Sequence, residues 1–155
     1  FMMLNRSNDA ELDFDFEKVK EKSKDNPVYY VQYAYARINS IIRILNKNLQ
    51  DEIFIDVKSI NLNEYEEKIL RKIFEWPKII ELAANNLEPH KIPFYLYELS
   101  TLFHSYWSKG NEDSKFKFIE NGNIKRFESL VFIYLIAIVI KNGMNILGVS
   151  LPEKM

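Results

Sequence analysis

Apolar side chains recur at helical spacing along most of this chain, and no strict alternation of apolar and polar residues persists for long. The first pattern predicts amphipathic helices, and the lack of the second leaves strands poorly supported. Glycine and proline are few, at 4 and 5 residues, and they fall near the ends of the apolar patterns. We therefore predict an all-α fold, a bundle of about five helices with short links.

Capping residues indicate where the first two long helices begin. Asp25 or Asn26 can cap a helix that carries Pro27 in its first turn. Asn61 or Asn63 can cap the next helix, whose first turn is acidic, as the helix dipole prefers. The intervening connector, residues 49–60, fits a short strand or an extended loop.

The C-terminal part predicts two further long helices separated by a polar loop. The sequence EPHKIPF begins a helix that runs to Trp107 and ends near Gly110. Residues 111–122 read as the loop, and a last helix should span roughly 123–142. Because Asn142 is followed by glycine, we expect this last helix to stop there.

Composition excludes several classes of protein. The net charge is -1, from 21 basic and 22 acidic side chains, which argues against coating nucleic acid by charge alone. The chain has no cysteine, so disulfides and thiol catalysis are absent. No signal peptide is visible, and the apolar run from Leu130 to Ile140 is shorter than the roughly 20 residues that cross a bilayer. The opening Phe-Met-Met indicates a piece of a longer protein.

The residues do not support catalytic chemistry. The two histidines, His90 and His104, lack metal-ligand companions at short spacing, and no glycine-rich phosphate loop is present. We therefore expect no catalytic residue and no metal site.

The stretch DNPVYYVQYAYARI is the most informative part of the chain. At about 100° per residue, Tyr30, Tyr33, Arg37 and Ile44 cluster on the side of the helix opposite its apolar stripe, with Tyr29 and Ser40 nearby. Rings can stack on nucleobases, and arginine can stack on bases or donate to them. A helix buried on both sides, with its hydroxyls bonded to neighbouring backbone, explains the same spacing.

The stretch FHSYW has a similar composition at the end of a helix, beside a lysine-bearing loop. Phe103 and Trp107 are four residues apart and are best explained as core. The sequence leaves open whether Tyr106 is a core residue or part of a surface that receives nucleic acid.

These stretches together resemble arginyl-tRNA synthetases, a class I family, in their C-terminal DALR anticodon-binding domain. FMMLNRSNDAELDFDF is similar to the segment after the family's Asp-Ala-Leu-Arg signature, and the tyrosine helix, FHSYW and NGMNILGVSLPEKM are similar to later family blocks. The resemblance covers nearly the whole chain, in order. Tyr35, where histidine is common, and Lys154, where arginine is more usual, depart from the family pattern.

The resemblance implies a role for the tyrosine helix. The domain, residues 1–155 with 1–24 as a connector to an upstream catalytic domain, would receive the anticodon stem-loop of tRNA(Arg) with its middle cytosine. The residues implied to shape the base pocket, by motif position, are Tyr30, Tyr33, Arg37, Tyr106 and Met155.

The resemblance also implies what lies outside this chain. The full-length protein would be a cytoplasmic, monomeric arginine–tRNA ligase that uses ATP and arginine with magnesium. The nucleotide-binding motifs of the family are not in these residues, so this part alone would bind no cofactor and no membrane, and would be inactive. The alternative is a structural or protein-interaction helical bundle with no role in binding nucleic acid.

Overall fold

The computed structural model describes residues 1–4, 15–23, 25–45, 61–121, 123–125 and 127–155, so the predicted connector 49–60 lies outside the described residues. The elements are α1 (Phe16–Lys20), α2 (Pro27–Leu45), α3 (Glu64–Phe74), α4 (Trp76–Asn85), α5 (Lys91–Glu112), a 3₁₀ turn (Ser114–Phe116), β1 (Ile119–Glu120), β2 (Asn123–Ile124) and α6 (Phe127–Ile146). The predicted all-α class is confirmed, with one short hairpin as its only sheet among the described residues.

Asparagine side chains cap α2 and α3, as the sequence predicts. Asn26 Oδ1 accepts from the backbone N–H of Val28 at 3.1 Å, and its Nδ2 donates to two carbonyls of the preceding segment. Asn63 and Glu66 form a reciprocal capping box at the start of α3. These bonds satisfy backbone groups that the first turn of a helix leaves without partners.

Helix α5 lies at the centre of the bundle, because α2, α3, α4 and α6 all pack against it. The core therefore contains buried side chains from several faces of α5, among them Leu96, Leu99 and Phe103, which are fully buried. They meet Ile38 of α2 and Ile140 of α6 in one continuous hydrophobic cluster. This arrangement fixes α2 against α5, which places the tyrosine stretch beside FHSYW.

Helix α6 is apolar enough over Glu128–Ile146 to meet the length and composition of a membrane span, with a mean hydropathy of 1.8. Of this window, 56% is buried inside the chain. Since α6 packs against α2, α3 and α5, its hydropathy is explained by its position in the core.

The predicted end of the last helix is wrong. Helix α6 continues past Gly143 to Ile146 and ends in a Schellman motif, in which Val149 N–H donates to the Met144 carbonyl at 2.9 Å. Gly148 supplies the left-handed residue, with φ of 66°. Gly143 has another purpose, because a Cβ there would lie 2.7 Å from the Leu96 side chain. It allows α6 to approach α5 closely.

The predicted polar loop 111–122 is only partly a loop. Helix α5 extends to Glu112, and β1 pairs with β2 in antiparallel register, Ile119 opposite Ile124. Asn121, with φ of 52°, lies in the turn, a conformation that asparagine tolerates better than most residues. Because β2 occupies the predicted start of the last helix, α6 begins later, at Phe127.

Candidate nucleic-acid interface

One face of α2 is open, which is one of the two arrangements that fit the helical spacing. Its core stripe includes Val31 and Ile38, both fully buried, and Tyr35 at 8% exposure. On the other side, Tyr33 and Arg37 are half-buried and line a surface groove together with later residues of the same helix. The helix is therefore not buried on both sides, which was the alternative explanation of its tyrosines.

The groove has a volume of about 510 Å³ and is built from four parts of the chain. Helix α2 forms one wall, Trp107 of α5 and Ile119 of β1 form the second, and the C-terminal tail closes one end. We call it the Tyr33 groove, and its lining residues are Tyr33, Ala36, Arg37, Ser40, Ile41, Arg43, Ile44, Trp107, Ile119, Lys154 and Met155.

Aromatic rings hold the Arg37 guanidinium inside the groove. Its central carbon lies 4.5 Å from the Tyr33 ring centroid and 5.1 Å from that of Trp107. Its Nη2 donates to the Tyr33 hydroxyl at 2.5 Å. Rings within about 6 Å of a guanidinium attract it through their negative faces. The result is a flat cation between two aromatic side chains, with further N–H groups left for a ligand.

Two side chains of α2 tie the C-terminal tail to the groove. Gln32 Nε2 donates to the Ser150 carbonyl at 2.9 Å, and Arg43 Nη1 donates to the Glu153 carbonyl at 3.0 Å. These bonds bring Lys154 and Met155 to the rim, where Met155 remains 51% exposed. The placement of Met155 beside Tyr33 and Arg37 agrees with the set that the family resemblance implies.

His104 of α5 lies directly behind Arg37. Its Nδ1 is 3.4 Å from Arg37 Nη1, its Nε2 is 3.4 Å from the Tyr30 carbonyl, and its ring stacks on that of Tyr33 at 5.6 Å. Burial lowers the pKa of His104 to about 4, and the neighbouring Arg37 charge acts in the same direction. The imidazole is therefore neutral at physiological pH.

Tyr30 lies next to the groove and is not part of its lining. Its ring contacts the rings of His104 at 4.5 Å and Tyr97 at 5.1 Å. The structure thus brings together Tyr33, Arg37 and Met155. It places Tyr30 behind them, in contact with His104 and not with the groove.

Tyr106 lies apart from the groove, in the core. It is 1% exposed, with its ring stacked on Tyr65 at 5.4 Å and against Phe118 edge-on at 4.5 Å. Its hydroxyl donates to Glu66 Oε1 at 2.8 Å and accepts from Asn63 Nδ2 at 2.9 Å. Burial raises its pKa to about 12. A direct contact of Tyr106 with a base stays a prediction, and its burial in this structure gives it no support.

Trp107 is an aromatic residue of the groove that the sequence reasoning missed. Its assignment to the core is only partly correct, because the half-buried ring packs on Phe118 and also faces Arg37. His104 belongs to the FHSYW stretch that could receive nucleic acid, but the sequence reasoning gave it no role in the base pocket. The described residues contain no group of three or more His, Cys, Asp or Glu that could hold a metal ion. The neighbouring aromatic residues in FHSYW were the available sequence signal for Trp107 and for His104.

The charge and shape of the groove suit an electron-rich, planar ligand. The lining residues carry three cations, Arg37, Arg43 and Lys154, and no acidic side chain among them. Aromatic rings and a planar guanidinium can both stack on a base, and the guanidinium also offers donors in one plane. This combination fits an unstacked base with its phosphate.

The chain matches the DALR anticodon binding domain family over residues 31–155. It is 56% identical over 155 residues to the arginine–tRNA ligase of Pelagibacter ubique, and 43% identical over 160 residues to that of Ruegeria pomeroyi. Each alignment covers 100% of this chain but only 27% and 28% of the two ligases, so the chain spans about a quarter of the length of these relatives.

Solved structures show the same fold. A Campylobacter jejuni chain described as an arginyl-tRNA synthetase superposes with a TM-score of 0.83 at 26% identity, over 100% of this chain and 32% of that one. The Thermus thermophilus arginyl-tRNA synthetase superposes with a TM-score of 0.75 at 22% identity, over 99% of this chain and 25% of that one, a likeness of fold alone. With the matched family covering most of its length, the chain belongs to the DALR anticodon binding domain family.

Proposed function

We propose that the Tyr33 groove receives an unstacked base from the anticodon loop of tRNA(Arg). The observation that carries this proposal is the half-buried Arg37 guanidinium, held between the rings of Tyr33 and Trp107 in a groove whose lining, among the described residues, includes no acidic side chain. Anticodon bases are single-stranded and can be splayed out, stacked on rings and read on their Watson–Crick edges. By its resemblance to the family, the base would be the middle cytosine.

The chain would then be the tRNA-reading part of a longer arginine–tRNA ligase in the cytoplasm. The relatives with that name are more than three times as long as the aligned segment, which supports an additional catalytic part. ATP, arginine and magnesium would be used there, and residues 1–24 would form the connector to it. The family resemblance also implies that this longer protein would act as a monomer.

The near-neutral charge of the chain is compatible with this function. A net charge of -1 supplies little non-specific attraction for RNA, whereas the three cations of the Tyr33 groove are local. Discrimination would therefore come from the groove, and the phosphate contacts would be shared with the rest of the protein.

Binding of two anticodon stem-loop RNAs tests the proposal. The hairpins differ only in their middle anticodon base, cytosine or uracil, and their dissociation constants are measured by fluorescence anisotropy at physiological salt. We expect the cytosine hairpin to bind at least about tenfold more tightly, since a matched set of base-edge hydrogen bonds contributes about 1 to 3 kcal/mol. Equal affinities would favour the alternative, a helical bundle with no role in binding nucleic acid.

Truncation of Met155 gives a smaller expected effect. Met155→Ala should weaken binding of the cytosine hairpin about 2- to 10-fold, because a half-exposed side chain can contribute about 0.5 to 1.5 kcal/mol when a ligand covers it. Met3→Ala is the matched control, since Met3 is also exposed, at 68%, and does not line the groove. Equal dissociation constants for the two variants would remove Met155 from the binding surface.

A further inference from the structure

We propose that His104 is a positioning residue, which holds the Arg37 guanidinium in the orientation that reads the base. The inference rests on the proposed function of the Tyr33 groove and adds to it a residue that is not among those implied by the family motifs. His104 need not touch the RNA, because it acts through Arg37.

The two ring nitrogens of His104 fix its tautomer. Arg37 Nη1 can only donate, so His104 Nδ1 must accept, and the proton then lies on Nε2, which donates to the Tyr30 carbonyl. Both distances are long, at 3.4 Å, but the ring is also confined by Tyr30 at 4.5 Å, Tyr33 at 5.6 Å and Phe103 at 5.5 Å. A neutral imidazole in one tautomer satisfies both contacts at once.

His104 supplies a contact that the aromatic rings cannot supply. The rings of Tyr33 and Trp107 lie 4.5 and 5.1 Å from the central carbon and attract the cation, but a ring face does not fix the direction of an individual N–H group. Directional contacts come from the Tyr33 hydroxyl on Nη2 and from His104 on Nη1. Two fixed N–H groups at different nitrogens define the direction of the remaining donors.

The backbone bond to Tyr30 anchors this arrangement in the fold. Tyr30 lies in the first turns of α2, ahead of Arg37 on the same helix, and His104 lies on α5, so the imidazole connects the two helices at the groove. His104 itself is 9% exposed, and the neighbouring Arg37 is only half-buried. A ligand can therefore reach the guanidinium without displacing its support.

Three variants separate positioning from simple packing. His104→Phe keeps an aromatic ring against Tyr30 and Tyr33 but removes both nitrogens. His104→Gln keeps one acceptor and one donor at the end of a similar side chain, whereas His104→Asn is too short to reach both partners. His90→Phe is the matched control, because it makes the same exchange at the start of α5, outside the Tyr33 groove.

The readout is the ratio of dissociation constants for the cytosine and uracil hairpins, measured with the full-length protein. We expect His104→Phe and His104→Asn to lower this ratio about tenfold, His104→Gln to restore most of it, and His90→Phe to leave it unchanged. The affinity for a hairpin that is abasic at the middle position should be the same in all variants.

The Arg37 side-chain ¹⁵N signals in the absence of RNA provide a second readout. They should be sharp in the wild type and in His104→Gln, and exchange-broadened in His104→Phe. A folded His104→Phe variant with the full ratio and unchanged signals, or a Gln variant no better than Phe, would overturn the inference. No preference in the wild type would instead overturn the proposed function itself.

Discussion

Tyr106→Ala should lower the free energy of unfolding by about 3 to 5 kcal/mol, the usual range for removing a large aromatic ring from a core. The ring is 1% exposed and packs between Tyr65 and Phe118. Its loss therefore leaves a cavity where α3 and α5 meet the segment that leads into β1. Urea denaturation monitored by circular dichroism measures this change directly.

The hydroxyl of Tyr106 adds a second, separable effect. Glu66 is fully buried, and its Oε1 accepts from both Tyr106 at 2.8 Å and Ser129 at 2.9 Å, while its Oε2 completes the capping box of α3. Tyr106→Phe removes one donor from a buried carboxylate and one acceptor from Asn63, so we expect a loss of about 1 to 3 kcal/mol. The phenylalanine variant retains the packing and should remain folded.

The two Tyr106 variants also decide whether this residue contacts RNA. Because the hydroxyl points into the core network, Tyr106→Phe should retain the preference for the cytosine hairpin. A stable Tyr106→Ala variant that had lost only this preference would contradict the structural role and restore Tyr106 to the base pocket implied by the family resemblance.

The helical periodicity was more informative for α2 than for α5, for a physical reason, although on α2 it left open whether the second face is buried. The spacing places Val31 and Ile38 on a different face of α2 from Tyr33 and Arg37, and the structure shows that the second face is open. Helix α5 is surrounded by four other helices, so consecutive aromatic residues such as Tyr106 and Trp107 both pack against other parts of the fold. Which of them reaches the surface depends on the packing partners, which the sequence does not name.

The end of α6 shows the same limit. Glycine after asparagine is a good local stop signal, but Gly143 is required by the close approach of Leu96 from another helix. The actual stop, Gly148, is followed by the tail that Gln32 and Arg43 bind. Local chemistry predicted that the last helix ends near a glycine, and tertiary contacts determined which one.

Tyr33→Ala should weaken binding of the cytosine hairpin roughly 5- to 150-fold, since the loss of one base–aromatic stack costs about 1 to 3 kcal/mol. The substitution also removes the hydroxyl that accepts from Arg37 Nη2. Arg37→Lys should have an effect of similar size, because lysine keeps the charge but lacks the planar fork of donors. Anisotropy titrations at physiological salt measure both changes.

Tyr29 provides a matched control for this prediction. It lies on the same helix, stacks in parallel on Tyr33 with centroids 6.1 Å apart, and does not line the Tyr33 groove. Tyr29→Ala therefore removes an equivalent ring while leaving the Arg37 contacts in place, and we expect less than about a threefold change, below 0.7 kcal/mol. If all three variants are folded and Tyr33→Ala weakens binding no more than Tyr29→Ala, the base does not stack on Tyr33. In that case the open face of α2 would be explained by the Arg37 contacts alone.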